Sequence, residues 1–186
     1  MQNFENLKET QRESRKIFNG KIMHVFEDTV ELPDGKLATR EYMRHVGAVC
    51  VVPLLDDGSV LLERQYRYPV GEVLVEIPAG KLNDKLEDPR EAAARELLEE
   101  TGAVAGALIS LGRFLPACAY SDELIHMYAA KGITFREQKL DADEFLNVFT
   151  LPLEEAVSEV LSGRIPDAKT QTALLKVWLL RQQGKL

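Results

Sequence analysis

Residues 80–102 read GKLNDKLEDPREAAARELLEETG, and this stretch decides the fold. Asp88 has a side chain typical of a helix N-cap, and Pro89 suits the first helical position because its missing N–H costs nothing there. The alanines that follow favour helix, and Gly102 favours its end. The stretch therefore predicts a helix over residues 89–101, preceded by a glycine-containing loop.

The predicted helix carries a cluster of acids directly after Arg95, namely Glu96, Glu99 and Glu100. At about 100° per residue, the acids share one side of the helix, and Ala93, Ala94, Leu97 and Leu98 cover the core-facing side. Like charges four residues apart near a helix C-terminus repel each other and oppose the helix dipole. Mg²⁺ or Mn²⁺ would relieve both costs, since hard cations bind carboxylate oxygens. A solvated acidic face with an Arg95–Glu99 ion pair is the alternative.

The composition excludes several classes of protein. The chain has 186 residues, 45% hydrophobic and 28% charged, which suits one globular domain with a sizeable core. A net charge of −7 argues against a nucleic-acid partner, and neither a signal peptide nor a membrane span is expected. The three scattered histidines do not suggest a zinc site. Cys50 and Cys118 lie in apolar stretches of sequence and are expected to be buried free thiols, which fits a cytoplasmic location.

Apolar patterning predicts strands mixed with helices. Strand pieces are expected within 14–45, around a turn at Pro33-Asp34-Gly35, and then at 46–55, 60–66, 73–78, 108–115, 124–130 and 145–151. A hairpin turn is expected at 56–59. Two further helices are expected at 152–161 and 168–182. This order of elements predicts an α/β/α layered domain.

The acidic stretch resembles the Nudix box, G-x5-E-x7-R-E-U-x-E-E-x-G-U, where U is a bulky apolar residue. Glu87 is followed by seven residues and then by Arg-Glu-Leu-Leu-Glu-Glu-Thr-Gly, ending at Gly102. The chain departs from the pattern twice. Six residues rather than five separate Gly80 from Glu87, and the small Ala103 stands at the last U position. The extra residue precedes the helix, so the register of the acids is unchanged.

Residues 14–170 resemble one branch of that family, which contains ADP-ribose pyrophosphatases and nucleoside diphosphate sugar hydrolases. The segments that carry the resemblance are Leu32-Pro-Asp-Gly35, Arg44-His45-Val46-Gly47-Ala48-Val49, Glu63-Arg-Gln-Tyr-Arg67, Glu76-Ile-Pro-Ala-Gly80 and Asp143-Glu144-Phe145. The resemblance implies a single α/β domain over 1–186: a Nudix-type α/β/α sandwich with a mixed sheet and a loop-helix-loop metal site at 80–102. It also implies N-terminal strands, within 1–45, that contribute to a homodimer.

The resemblance further implies roles for individual residues. The metal ligands, for Mg²⁺ or Mn²⁺, would be the carboxylates of Glu96, Glu99 and Glu100 and the Ala79 carbonyl. Arg95 would orient these acids, and Glu87 would have a structural role in the loop. The general base is expected within 141–144, where some relatives have a glutamate in place of Ala142. Glu144 is the expected base, with Asp143 and Asp141 as alternatives.

Substrate contacts are expected from charged side chains outside the box, namely Arg67 near the phosphates, Arg40 and Arg44 across a dimer interface, and Glu123 in the pocket. Each of them could instead be a strand-edge charge that prevents aggregation. An aromatic side chain would stack on the base, and the candidates are Phe18, Tyr42, Tyr66, Tyr68 and Tyr120.

The function that the resemblance implies is Mg²⁺-dependent hydrolysis of the pyrophosphate of ADP-ribose or a related nucleoside diphosphate sugar. The products would be a nucleoside monophosphate and a sugar phosphate, with no nucleic-acid or membrane partner. Two alternatives remain: a hydrolase of this branch that prefers GDP-mannose, and a module that binds ADP-ribose without cleaving it.

Overall fold

The computed structural model describes residues 4–140, 142 and 144–186. The chain divides into two compact units, one formed by Met1–His45 with Ala117–Glu123 and the other by Val46–Pro116 with Leu124–Leu186. Within the described ranges, no helix combines the length and the apolar character that crossing a lipid bilayer requires.

The first unit is built on a three-stranded antiparallel sheet. Its strands, in sheet order, are β1 (Thr10–Asn19), β2 (His24–Glu31) and β3 (Leu37–Arg44). The predicted turn joins β2 to β3, and Gly35 has φ +83°, a conformation that glycine adopts without strain. The strand pieces predicted within 14–45 are confirmed. Every residue of β1 is exposed, which is unusual for a strand ten residues long.

The second unit contains the remaining strands and the helices. Its strands are β4 (Ala48–Pro53), β5 (Ser59–Arg67), β6 (Glu72–Glu76), β7 (Ala79–Lys81), β8 (Ala103–Val104), β9 (Ala107–Phe114), β10 (Ile125–Lys131), β11 (Thr134–Phe135) and β12 (Leu146–Pro152). Its helices are α1 (Pro89–Thr101), α2 (Leu153–Leu161) and α3 (Ala168–Gln182). The short strands β7, β8 and β11 were not predicted, because two or three residues are too few to show an alternating pattern.

Two sheets form the centre of this unit. One is mixed and has the order β7-β4-β10-β9, in which only the β4–β10 pair is parallel. The other is antiparallel and has the order β12-β5-β6. The strands β8 and β11 form a separate antiparallel pair. The predicted mixed sheet is confirmed.

The central strand β4 has a helix layer on each side. Its side chains alternate between the two faces, as in any strand. Cys50 and Val52 join the apolar cluster that contains buried residues of α2 and α3. Val49 and Val51 join the cluster that contains Ala92, Ala93 and Leu97 of α1. This arrangement confirms the predicted α/β/α layering and explains why the run from Val46 to Leu55 is apolar throughout.

The predicted hairpin turn at 56–59 is confirmed, although the hairpin that it closes is short. Gly58 donates its N–H to the Leu55 carbonyl at 3.0 Å, and Leu54 and Val60 form an isolated bridge. Beyond that bridge β4 and β5 enter different sheets. Both edges of β4 are occupied by β7 and β10, and both edges of β5 by β12 and β6, so the two strands cannot pair further.

Candidate active site

The helix α1 has the predicted bounds, and both of its ends are capped as its sequence requires. Asp88 accepts a hydrogen bond from the Arg90 N–H at 2.7 Å. Gly102 has φ +70° and donates its N–H to the Leu98 carbonyl at 2.9 Å. The position of the acids along and around the helix is therefore fixed by local sequence.

The acidic side of α1 is buried rather than solvated. Glu96 is 9% exposed and Glu100 is 3% exposed, whereas Ala94, predicted on the core-facing side, is exposed. That prediction for Ala94 is wrong, because strand β7 packs against the acidic side of the helix. The Ala79 N–H donates to Glu100 Oε2 at 2.8 Å. Packing by β7 thus explains how two acids four residues apart come to be buried.

Gly80 lets the backbone come into contact with the Glu96 carboxylate. A Cβ atom at this position would stand 2.0 Å from Glu96 Cδ, far closer than two carbon atoms can approach. Gly80 lies in the middle of β7, opposite Val49. The first glycine of the box pattern is therefore required here by the neighbouring acid and not by a turn.

Ala79 directs its backbone polar groups towards the acids. Hydrogen bonds to the chain around β4 are made on both sides of Ala79. The Val51 N–H donates to the carbonyl of Pro78, the preceding residue, and the N–H of Leu82, three residues later, donates to the Gly47 carbonyl. In an antiparallel ladder these positions alternate, so the N–H and C=O of Ala79 point away from β4. The Ala79 carbonyl is consequently on the open edge of the sheet, where Glu100 accepts the Ala79 N–H.

Arg95 binds three carboxylates at the start of the site. It donates to Glu96 Oε1 at 2.7 Å, to Glu99 Oε2 at 3.1 Å and to Glu87 Oε1 at 3.3 Å. Glu87 also accepts the Asn83 N–H at 2.5 Å, which closes the loop before the helix. Arg95 and Glu87 are thus in contact with each other and with the acids, and their orienting and structural roles stay predictions.

The loop accommodates its extra residue without disturbing these contacts. Asp84 accepts the backbone N–H groups of Leu86 at 2.6 Å and Glu87 at 3.1 Å, which makes a local turn. The Leu86 side chain is 94% exposed, so the additional length bulges into solvent.

A second group of charges was not recognised from the sequence. Glu63 on β5 lies directly opposite Glu76 on β6, and each is 1% exposed. Arg67 makes two hydrogen bonds to Glu76, at 2.6 and 2.7 Å, and Lys169 forms an ion pair with it. The sequence does contain a signal for this group: Glu63 and Glu76 each follow a run of apolar residues typical of a buried strand, in Val-Leu-Leu-Glu and Val-Leu-Val-Glu-Ile.

Helix α3 anchors the second group of charges. Asp167 caps the helix by accepting the Thr170 N–H at 2.9 Å, and it also accepts from Lys169 Nζ at 3.1 Å. The Thr170 hydroxyl in turn accepts the Ile77 N–H at 3.0 Å. The first turn of α3 therefore holds the end of β6, three residues before Ala79.

The electrostatic environment differs sharply among the buried acids. Burial, together with the charges of Glu63 and Glu96, raises the pKa of Glu100. Burial and the charge of Glu76 raise the pKa of Glu63. Although burial acts in the opposite direction, the Arg67 hydrogen bonds and the Lys169 charge lower the pKa of Glu76. Negative charge on Glu63 and Glu100 is thus disfavoured unless a further cation is present.

Glu144 contributes to the same field. Its charge is among the causes that raise the pKa values of Glu63, Glu96 and Glu100. The structure therefore brings the expected base near the acids of α1, although they are more than forty residues apart in sequence. The two alternative bases, Asp141 and Asp143, lie outside the described residues.

The donor set fits a hard divalent cation. Glu63 Oε2 is buried and has no hydrogen-bond partner among the described residues. The nearby donors, carboxylates and the Ala79 carbonyl, are all oxygens, which Mg²⁺ and Mn²⁺ prefer. In the described part of the chain, no three acidic, histidine or cysteine side chains already stand together as a metal cage.

The other expected substrate contacts belong to the first unit. Arg40 donates to Glu9 at 2.9 Å, and the Arg44 guanidinium lies 4.1 Å from the centre of the Phe26 ring and donates to the Tyr42 hydroxyl at 2.7 Å. Glu123 lies 3.6 Å from His45. Their roles in substrate binding stay predictions.

The aromatic candidates for base stacking fall into two groups. Tyr42 stacks on Phe26 with ring centroids 5.9 Å apart, so its ring is already engaged. The other rings are more than half exposed, namely Phe18, Tyr66, Tyr68 and Tyr120. Which of these rings stacks on a base stays a prediction.

Two family models match the chain. The NUDIX domain matches residues 43–174, and the nucleoside diphosphate sugar hydrolase N-terminal domain matches residues 9–43. The chain belongs to the Nudix family. The predicted family, its branch and the hydrolase class are therefore confirmed.

Individual relatives support this assignment. This Nudix protein is 40% identical to the ADP-ribose pyrophosphatase of Bacillus subtilis over 91% of this chain and 92% of that protein. It is 42% identical to the methanol dehydrogenase activator of Bacillus methanolicus over 87% and 88%. A crystal structure of an ADP compounds hydrolase shares the fold, with a TM-score of 0.83 at 24% identity, covering 96% of this chain and 97% of that one.

The close approach of Gly80 to Glu96 leads to a first prediction. Gly80→Ala should displace the Glu96 carboxylate and lower hydrolytic turnover on the order of 100-fold, since small misplacements of catalytic groups have effects of this size. Lys81→Ala, at the exposed neighbouring position, is the control and should keep its activity. Steady-state kinetics of the two variants provides the measurement. Wild-type turnover in Gly80→Ala would show that Glu96 need not occupy its present position.

Proposed function

We propose that this Nudix hydrolase cleaves the pyrophosphate of ADP-ribose, or of a related nucleoside diphosphate sugar, in the presence of Mg²⁺ or Mn²⁺. Water is added across the P–O–P bridge, so that a nucleoside monophosphate and a sugar phosphate are released. The observation that carries the proposal is the buried acid pair, Glu96 and Glu100, held against Ala79 and Gly80 in a chain that matches both family models.

The acid set supports hydrolysis more than simple binding. Buried carboxylates that repel one another destabilise the metal-free protein, and a module that only binds a ligand has no need of them. Glu96, Glu99, Glu100 and the Ala79 carbonyl would hold the cation. A bound divalent cation neutralises pyrophosphate charge and lowers the pKa of water. Arg95 would keep the acids in place between turnovers.

Glu144 is our proposal for the general base. It lies just before β12, and its charge acts on Glu63, Glu96 and Glu100. In this role it would accept the proton of the attacking water as the oxygen–phosphorus bond forms. As the bond forms, the water oxygen becomes more positive and its proton more acidic. A base is needed to take up this proton while the phosphate oxygens carry the negative charge of the transition state.

Arg67 is our proposal for the phosphate contact within the second unit. Its position is fixed by the two hydrogen bonds to Glu76, and 38% of its side chain remains exposed. A guanidinium fork can donate to a carboxylate on one side and to a phosphate oxygen on the other.

We propose that the protein acts as a homodimer formed through its N-terminal strands. The fully exposed strand β1 carries Ile17 and Phe18, which are 47% and 56% exposed. A long exposed strand with apolar side chains is a surface that a second copy can cover. Arg40 and Arg44 on β3 would then contribute to the partner's substrate site, and Glu123 would line the pocket. The cytoplasm is its proposed location, because Cys50 and Cys118 are both free; Cys50 is buried as expected, whereas Cys118 is exposed and that part of the prediction is wrong.

The proposed reaction is tested with a panel that contains ADP-ribose, GDP-mannose, other nucleoside diphosphate sugars and nucleoside triphosphates, each with Mg²⁺ or Mn²⁺. ADP-ribose should give AMP and ribose 5-phosphate. Glu100→Gln should lower turnover by about 100-fold or more, because it removes a buried metal ligand. Chromatography of the products provides the measurement.

The matched control is Glu91→Gln, an exposed acid on the same helix, which should retain full activity. Tight binding of ADP-ribose without any product would favour a module that binds ADP-ribose without cleaving it. Preferential cleavage of GDP-mannose would favour a GDP-mannose hydrolase of the same branch.

The assignment of Glu144 is tested by Glu144→Gln. The change should lower kcat by about 100- to 10,000-fold and leave KM nearly unchanged, as expected for loss of a general base. Glu137→Gln, an exposed acid of the preceding segment, serves as the control. A kcat within a few-fold of wild type would transfer the role of base to another residue.

The dimer is tested by sedimentation equilibrium. The wild-type protein should have twice the mass of one chain, and Ile17→Lys with Phe18→Lys should shift it to the monomer. Active monomeric wild-type protein would contradict the proposal.

A further inference from the structure

Beneath the site, the buried acids differ in how many cationic partners they have. Glu76 has two cationic partners, Arg67 and Lys169. Glu96 has Arg95. Glu63 has no ion pair among the described residues, and one of its buried oxygens accepts no hydrogen bond from them. A buried carboxylate in this condition is costly and requires an explanation.

The position of Glu63 is fixed by its strand. It pairs with Glu76 on one side and with Val148 on the other, in the middle of the β12-β5-β6 sheet. Directly opposite residues share a face, so the side chains of Glu63 and Glu76 project to the same side. The chain then runs from Glu76 to Ala79 in three residues, and the Ala79 N–H donates to Glu100.

Neighbouring acids act on both Glu63 and Glu100. The pKa of Glu100 is raised first by burial and then by the charge of Glu63. Arg67 and Lys169 are hydrogen-bonded to Glu76, whereas the buried Glu63 Oε2 accepts no hydrogen bond from any described residue. A cation from outside the chain would give this oxygen a partner.

We propose that Glu63 is a further carboxylate of the metal centre, directed at the divalent cation that Glu96 and Glu100 hold. The inference rests on the proposed function, because it needs a cation at that site. Glu63 lies outside the Nudix box, on the neighbouring sheet. Strand β5 thus adds an acid to a centre otherwise built from α1 and β7.

An ordinary structural role for Glu63 makes a different prediction. If Glu63 only supported Glu76 or the sheet, its replacement would destabilise the fold and leave the affinity for metal unchanged. If it faces the cation, its replacement removes a buried charge that the metal-free protein does not need. The metal-free variant should then be at least as stable as the wild type, while its affinity for metal falls.

The test uses Glu63→Gln in the full chain and measures Mn²⁺ binding without substrate. Calorimetry and the electron paramagnetic resonance signal of free Mn²⁺ give affinity and stoichiometry. Affinity should fall about 10- to 100-fold, as for other groups that support a bound metal. The Mn²⁺-induced rise in Tm should shrink with it. Glu72→Gln, an exposed acid on β6, is the matched control and should bind Mn²⁺ like wild type.

The outcomes are distinguishable. Wild-type Mn²⁺ affinity in Glu63→Gln would overturn the inference and leave the proposed function intact. Weaker binding accompanied by a lower metal-free Tm would also overturn it, since the role would then be structural. Absence of Mn²⁺ binding by the wild type would overturn both the inference and the proposed metal site. Should Glu63→Gln fail to fold, Glu63→Val, which suits a buried strand position, gives the same comparison.

Discussion

The packing of β7 against the acidic side of α1 is the constraint on which the rest of the site depends. Gly80 permits this contact because it has no side chain, and Glu100 secures it by accepting the Ala79 N–H. The same contact removes Glu96 and Glu100 from water, where their charges would be well tolerated. Burial of these two carboxylates therefore lowers the free energy of unfolding of the metal-free protein, and a bound cation would raise it again.

Cations from several elements, and not from residues 80–102 alone, offset the electrostatic cost of burying these acids. Arg95 neutralises the acids at the loop end of the site, and Arg67 with Lys169 neutralises Glu76 beneath it. These cations come from α1, β5 and α3. Glu100 and Glu63 form no ion pair with the described residues, so a cation beside them would favour their charged forms.

Local signals were enough to predict α1 and its register, because Asp88 and Gly102 act within one turn of the helix. The layering around β4 also followed from its apolar run. The burial of Glu96 and the charge network of Glu63 and Glu76 could not be predicted, since both depend on contacts between segments distant in sequence. Strand β7 illustrates the reason: three residues carry no periodicity, yet they determine which face of α1 is covered.

The last helix has a consequence for the order in which the molecule is assembled. Thr170 accepts the Ile77 N–H and Lys169 forms an ion pair with Glu76, so residues of α3 pack beneath the acids. During synthesis, the box and its strands emerge before these residues. A nascent chain that ends before α3 therefore leaves Glu76 without Lys169. Completion of this charge network has to wait until α3 has been synthesised.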